Sequence, residues 1–106
     1  MLMPSSELSA MFCYVYYLRS IKNGSFYVGF TCDLEKRITE HNTGFNVSTR
    51  PGLPWELMYY EAHRNEDDAR RREGYLKTTQ GRQSLRRMLR EELAQINNAS
   101  QQKVYY

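Results

Sequence analysis

Asn23-Gly24 lies between two runs of aromatic and β-branched residues, and it constrains the fold of this chain more than any other dipeptide. Asn-Gly favours the backbone of a tight hairpin turn, whose twist matches that of the strands on either side. The run before it, Met11 to Leu18, sets Phe12, Tyr14, Tyr16 and Leu18 on one face and Cys13, Val15 and Tyr17 on the other. Both faces are apolar or aromatic, as in a central strand covered on both sides. The run after it, Phe26 to Thr31, is then the returning antiparallel strand.

The helical signals follow at once. Asp33 is a good N-cap, and Gly44 a good stop after Asn42-Thr43. Leu34, Ile38 and His41 form the inner stripe between them, and Arg37 and His41, four residues apart, share a face. Phe45 to Pro54, with Ser, Thr, Gly and two prolines, reads as a loop. Trp55 to Ala62 reads as a third strand. Asn65 caps a second helix, with Asp68 echoing a capping box, and that helix carries Ala69, Arg72, Glu73, Leu76 and Lys77. Gln80-Gly81 reads as a break. A third helix is expected from about Arg82 to Ile96, with Leu85, Met88, Leu89, Leu93 and Ile96 on one face. Residues 1–10 read as a flexible segment, 11–96 as one domain and 97–106 as a polar tail. The order β-β-α-β-α-α gives a small α+β domain with a three-stranded antiparallel sheet flanked by helices. The helix between strands two and three lets the third cross over and lie beside the first, so that the Tyr14-to-Tyr16 strand is central.

A length of 106 residues leaves room for one small domain. The mean hydropathy of −0.75 and the lack of any long apolar run argue against a membrane span. Met1 to Ala10 has neither the basic start nor the apolar stretch of a signal peptide, which makes the cytoplasm the expected location. There Cys13 and Cys32 are expected to be reduced and structural, and the absence of a close C-x-x-C pair argues against zinc. Arg70-Arg71-Arg72, Arg82, Arg86, Arg87 and Arg90 concentrate guanidinium in the last third of the chain. Guanidinium pairs with phosphate in a bidentate way. The plainer reading is a solvated helix surface balanced by Glu91 and Glu92.

Two tripeptides, Tyr14-Val15-Tyr16 and Tyr27-Val28-Gly29, flank the hairpin turn, and Arg72-Glu73-Gly74-Tyr75-Leu76-Lys77 follows on the second helix. In this order and spacing the chain resembles the GIY-YIG nuclease superfamily. Thr31, Asn42, Gly44, Thr49, Pro54-Trp55, Tyr59-Tyr60-Glu61 and Ala69 add to the likeness, which runs from about Phe12 to Leu89. It looks most like the bacterial stand-alone single-domain branch, similar to the N-terminal domain of the excinuclease C subunit. Tyr14 stands where the first tripeptide usually has Gly, and Phe30 where the excinuclease branch has a lysine.

The resemblance implies a phosphodiester-cutting site with one divalent metal, Mg²⁺ or Mn²⁺. It implies Tyr16 as the tyrosine that activates or orients water, Tyr27 as the second tyrosine of the pocket, and Arg37 as the arginine on the scissile phosphate. His41 is similar to the histidine of many branches, and Glu73 to the metal-binding glutamate. A carboxylate on a rigid helix suits Mg²⁺, which takes one or two carboxylates and keeps most of its waters. DNA is the expected partner, contacted by Arg37, Lys77, Arg82, Arg86 and Arg90, with no membrane and no small-molecule cofactor. The expected activity is DNA cleavage of low sequence specificity, in repair or processing. The alternative is a nucleic-acid-binding module with a weak or lost active site. Each residue also has a plainer role. Glu73 pairs with Lys77, Arg37 with Asp33, Tyr16 and Tyr27 are core aromatics, and His41 complements the helix dipole.

Overall fold

A three-stranded antiparallel sheet organises the chain, its strands lying in the order second, first, third, with the first in the middle as the turn and crossover predict. The computed structural model describes residues 6–104, and side chains from 7 to 99. Of the segment expected to be flexible, residues 1–5 lie outside this range, while α1 (Ser6–Ser9) is a single helical turn. The strands are β1 (Cys13–Ser20), β2 (Phe26–Thr31) and β3 (Trp55–His63). The connection after β1 is wider than a two-residue turn. Gly24 takes φ +76°, but among the described residues none other than glycine has positive φ. Instead the side chain of Asn23 accepts bonds from the backbone N–H and the hydroxyl of Ser25, at 2.9 and 2.6 Å.

Register places Tyr16 opposite Gly29 on one side and Tyr60 on the other, and Val15 opposite Phe30 and Glu61. Successive rows therefore face opposite sides of the sheet. On the Tyr16 side, Tyr14, Tyr16, Leu18, Leu34 and Trp55 form the core, closed by α2 (Leu34–Asn42). Asp33 caps α2 through a bond from Lys36 N–H, and Gly44 ends it at φ +77°. On the Val15 side, α3 (Glu66–Leu76) grips both ends of one row. Arg70 stacks 4.3 Å from the centroid of the Phe30 ring, and Arg72 donates to Glu61 at 2.7 Å. Asn65 caps α3 as expected, accepting from Asp67 and Asp68 N–H.

Cys13 and Cys32 are joined in a disulfide and are not the two reduced thiols expected. Register supplies the reason. Tyr14 lies opposite Thr31, so the next pair outward is Cys13 with Cys32.

The last third departs from its sequence pattern. The described residues divide after Gly74 into two compact units. In the second, the break comes at Thr78 and not at Gln80-Gly81. Thr78 Oγ1 caps α4 (Thr79–Met88) by accepting from Gly81 N–H at 3.1 Å. Gly81 lies inside that helix because a Cβ there would overlap the Tyr75 carbonyl and Leu76 Cα. The expected single helix ends at Met88, and α5 (Arg90–Val104) runs on through most of the expected polar tail. Residues 105–106 lie outside the described range. No helix of the described residues is long and apolar enough to cross a membrane.

Candidate active site

The centre of β1 presents Tyr16 over Gly29, and a Cβ at position 29 would overlap the Tyr16 ring. The glycine of the second tripeptide is thus the space into which the phenol of the first one lies. The Tyr16 hydroxyl is 2.8 Å from Nε2 of His41. Nδ1 of His41 is in turn 2.8 Å from Thr49 Oγ1. Tyr16, His41 and Thr49 are all buried, at 1%, 0% and 2% exposure. Tyr27, two residues from Gly29 on the same face, places its ring 5.1 Å from the imidazole and 6.3 Å from the ring of Tyr16.

The loop that brings Thr49 in is held from both ends. Asn42, next to His41, clamps the backbone of Trp55, donating to its carbonyl at 2.9 Å and accepting from its N–H at 2.7 Å. The Trp55 indole N–H donates to the carbonyl of Thr49 at 2.8 Å. A 3-10 turn, Arg50–Gly52, lies between them.

Charge is distributed unevenly around the hydroxyl. Burial pushes the Tyr16 phenol up to about 12, against the opposing pull of Arg37, while the carboxylate of Glu73 adds a smaller upward push. Tyr16 in turn holds the Arg37 guanidinium in its charged form. Burial lowers His41, and the positive charge of Arg37 lowers it further. The phenol is therefore neutral at pH 7, and His41 is a neutral imidazole with a lone pair to offer. Arg37 Nη1 is bonded to Glu40 at 3.2 Å, while its buried Nε has no hydrogen-bond partner. Among the described residues, no group of three or more His, Cys, Asp and Glu is arranged to hold a metal. The carboxylate of Glu73 acts on the Tyr16 hydroxyl. That donor set fits a hard cation which keeps its own waters and does not fit a closed transition-metal site.

The model of the GIY-YIG catalytic domain matches residues 12–86. The chain belongs to the GIY-YIG family. It is 42% identical over 73 residues to a UPF0213 protein of Clostridium perfringens, covering 68% of this chain and 77% of that one. It is 38% identical over 62 residues to a UPF0213 protein of Streptococcus agalactiae, covering 58% of this chain and 70% of that one. A UPF0213 protein of Bacillus cereus is 40% identical over 63 residues, covering 58% of this chain and 66% of that one. No solved structure matches. Membership in a nuclease family supports a nuclease-type function, and nucleases of this family generally use divalent metal ions.

Within this GIY-YIG domain, Tyr16, Tyr27, Arg37 and His41 meet on one face of the sheet, and the charge of Glu73 acts on Tyr16. Arg37 pairs with Glu40 at 3.2 Å and not with Asp33, whose carboxylate accepts the cap bond from Lys36 N–H. Lys77, Arg82, Arg86 and Arg90 belong to the second compact unit. Arg82 and Arg86 share α4, but Arg90 opens α5, so the spacing of four does not carry through to it. Position 30 of β2 offers no cation of its own, yet Arg70 lies over the Phe30 ring.

Sequence reasoning did not assign a role to Thr49 and missed the network around Glu61. There the carboxylate accepts from Arg72, from Tyr59 at 2.8 Å, and meets His63 Nε2 at 3.1 Å. The available signal was alternation, since Tyr59, Glu61 and His63 share one face of a strand.

Proposed function

We propose that this chain is a divalent-metal-dependent endonuclease that hydrolyses DNA phosphodiester bonds with low intrinsic sequence specificity, acting in repair or processing. The observation that carries the reading is the buried 2.8 Å contact between Tyr16 and His41, with Arg37 acting on the same hydroxyl. Mg²⁺ or Mn²⁺, held by Glu73, would supply a Lewis acid beside the scissile phosphate.

A phenol pushed up to about 12 is a poor base alone. Paired with a neutral imidazole it becomes a relay. Tyr16 oxygen takes a proton from the attacking water as its own proton passes to His41 Nε2, leaving a neutral phenol and an imidazolium. The oxygen of that water forms the new bond to phosphorus as the bond from phosphorus to the leaving sugar oxygen breaks, and that oxygen takes a proton from a solvent water. Arg37 meets the negative charge that grows on the phosphate oxygens, already aimed before the reaction begins. Tyr27 walls the imidazole and keeps bulk water from it.

Cleavage of short single-stranded and duplex DNA, with and without Mg²⁺, tests this. The parent cuts only with metal, and Glu73→Gln cuts about a thousandfold more slowly. Metal-independent binding without cleavage by the parent would overturn the nuclease reading in favour of a binding module.

A further inference from the structure

The hydrogen bonds around His41 run in one direction, and the groups at the two ends set that direction. At one end, Arg37 acts on the Tyr16 oxygen. A guanidinium has protons to give and no lone pair to offer. Its positive charge turns the phenolic hydrogen away, toward the ring nitrogen 2.8 Å distant, His41 Nε2, which accepts it when the imidazole proton is on Nδ1. At the other end, Thr49 Oγ1 is 3.4 Å from the carbonyl of Asn46, an oxygen that only accepts. If Thr49 directs its hydrogen there, its lone pair faces His41 Nδ1 at 2.8 Å and requires a proton on that nitrogen. The opposite assignment would put a hydrogen on Nε2. Arg37 and His41 would then both point donors at one phenol oxygen, leaving the hydrogen of a tyrosine only 1% exposed without this acceptor.

We infer that Thr49 is a positioning residue for the proposed reaction, holding His41 as the Nδ1–H tautomer so that Nε2 receives the proton of Tyr16. Which ring nitrogen of a histidine carries the proton is set by the bond that the other nitrogen makes. Thr49 reaches neither the water nor the phosphate in this scheme and acts through His41. Its own placement follows from the loop, where the Thr49 carbonyl receives the Trp55 indole N–H and Asn42 clamps the Trp55 backbone. The loop between α2 and β3 thus helps to define the site although it lends no group to the chemistry. The inference rests on the nuclease reading for its catalytic consequence, but the tautomer is measurable without any reaction.

The test combines ring-nitrogen NMR with kinetics on the full chain labelled with ¹⁵N. Long-range ¹H–¹⁵N correlations at neutral pH report which nitrogen of each imidazole is protonated, and His63→Gln assigns the second ring. The parent is expected to show protonated Nδ1 and unprotonated Nε2 at His41. Thr49→Val, similar in shape without the oxygen, should lose that pattern. Its kcat for DNA should fall on the order of a hundredfold, as when a positioned base is misaligned, with KM changed by less than about twofold. Thr49→Ser should restore both. A protonated Nε2 in the parent, or a Thr49→Val protein with the parent's tautomer and kcat, would overturn the inference. If Thr49→Val does not fold, the parent tautomer and Thr49→Ser still decide it. A parent with the expected tautomer that never cuts DNA would instead overturn the nuclease reading and leave the assignment of the tautomer intact.

Discussion

The two faces of the sheet carry two polar networks of similar size and opposite character. Behind the Val15 row, Glu61 has its carboxylate filled by Arg72, Tyr59 and His63, and Arg72 also ties α3 to β3. Every partner there opposes or satisfies a full charge, so the network is closed and resists change. On the Tyr16 row the members are neutral. A phenol, an imidazole and a hydroxyl hand hydrogen bonds along a buried line that starts at a cation. A proton passed along such a line leaves the phenol neutral and moves the charge to His41. Burial alone does not distinguish structural from chemical polar groups here. What separates them is whether the network is built on a satisfied ion pair or on neutral groups, one of which can still take a proton.

The comparison breaks or sharpens on measurable effects. The largest is expected at Glu73, where Glu73→Gln removes the charge of a carboxylate that acts on Tyr16. Metal-dependent cleavage should slow about a thousandfold, a barrier higher by roughly 4 kcal/mol, in an initial-rate assay with the melting temperature retained. Arg37→Ala comes next, costing about 3 kcal/mol if the guanidinium acts like a lost oxyanion donor, read as kcat on the same substrate. On the other face, Arg72→Met leaves the Glu61 carboxylate with too few donors. Urea unfolding should show a loss of about 2 kcal/mol, and adding Glu61→Gln should recover part of it, since the uncompensated charge is then gone.

The pH dependence of that face is smaller and has a definite sign. Burial pushes Glu61 up, but bonds from Arg72, His63 and Tyr59 outweigh it and hold the carboxyl below its ordinary 4.5. A depressed carboxyl stabilises fully above its unfolded value and loses that contribution as pH falls through the folded one. The stability gap between parent and Glu61→Gln should therefore be constant near neutral pH and narrow in acid below 4.5. The smallest effect belongs to α4. Arg82→Gln with Arg86→Gln should weaken duplex binding alike for unrelated sequences and reduce the salt slope by about 0.9 for each phosphate that is no longer neutralised. An unchanged slope would assign both arginines to a solvated helix surface.

The sheet was legible because its signals are local. Asn23-Gly24 set the hairpin, alternation in residues 12–18 set the central strand, and Asp33 with Gly44 bounded α2. Tyr16, Tyr27, Arg37 and His41 meet because hairpin register and helical spacing fix them relative to one another. The disulfide was missed because spacing in sequence does not reveal that Cys13 and Cys32 are the next register pair. The helices after Gly74 were misread because their boundaries depend on close approach. Gly81 looked like a breaker but serves contact with the Tyr75 carbonyl, and the cap was the less conspicuous Thr78. Thr49 matched the family pattern but had no role until the loop placed its hydroxyl on Nδ1.

The most direct test removes one hydroxyl from each face. Tyr16→Phe and Tyr59→Phe are the same chemical change, and each deletes one hydrogen bond from its network. Initial rates of DNA cleavage in Mg²⁺ should fall about a hundredfold or more for Tyr16→Phe. For Tyr59→Phe they should stay near the parent's, with a lower melting temperature as the sign of the missing bond. Equal rates for the two variants, or cleavage by Tyr16→Phe as fast as the parent's, would contradict the assignment of the chemistry to the Tyr16 face.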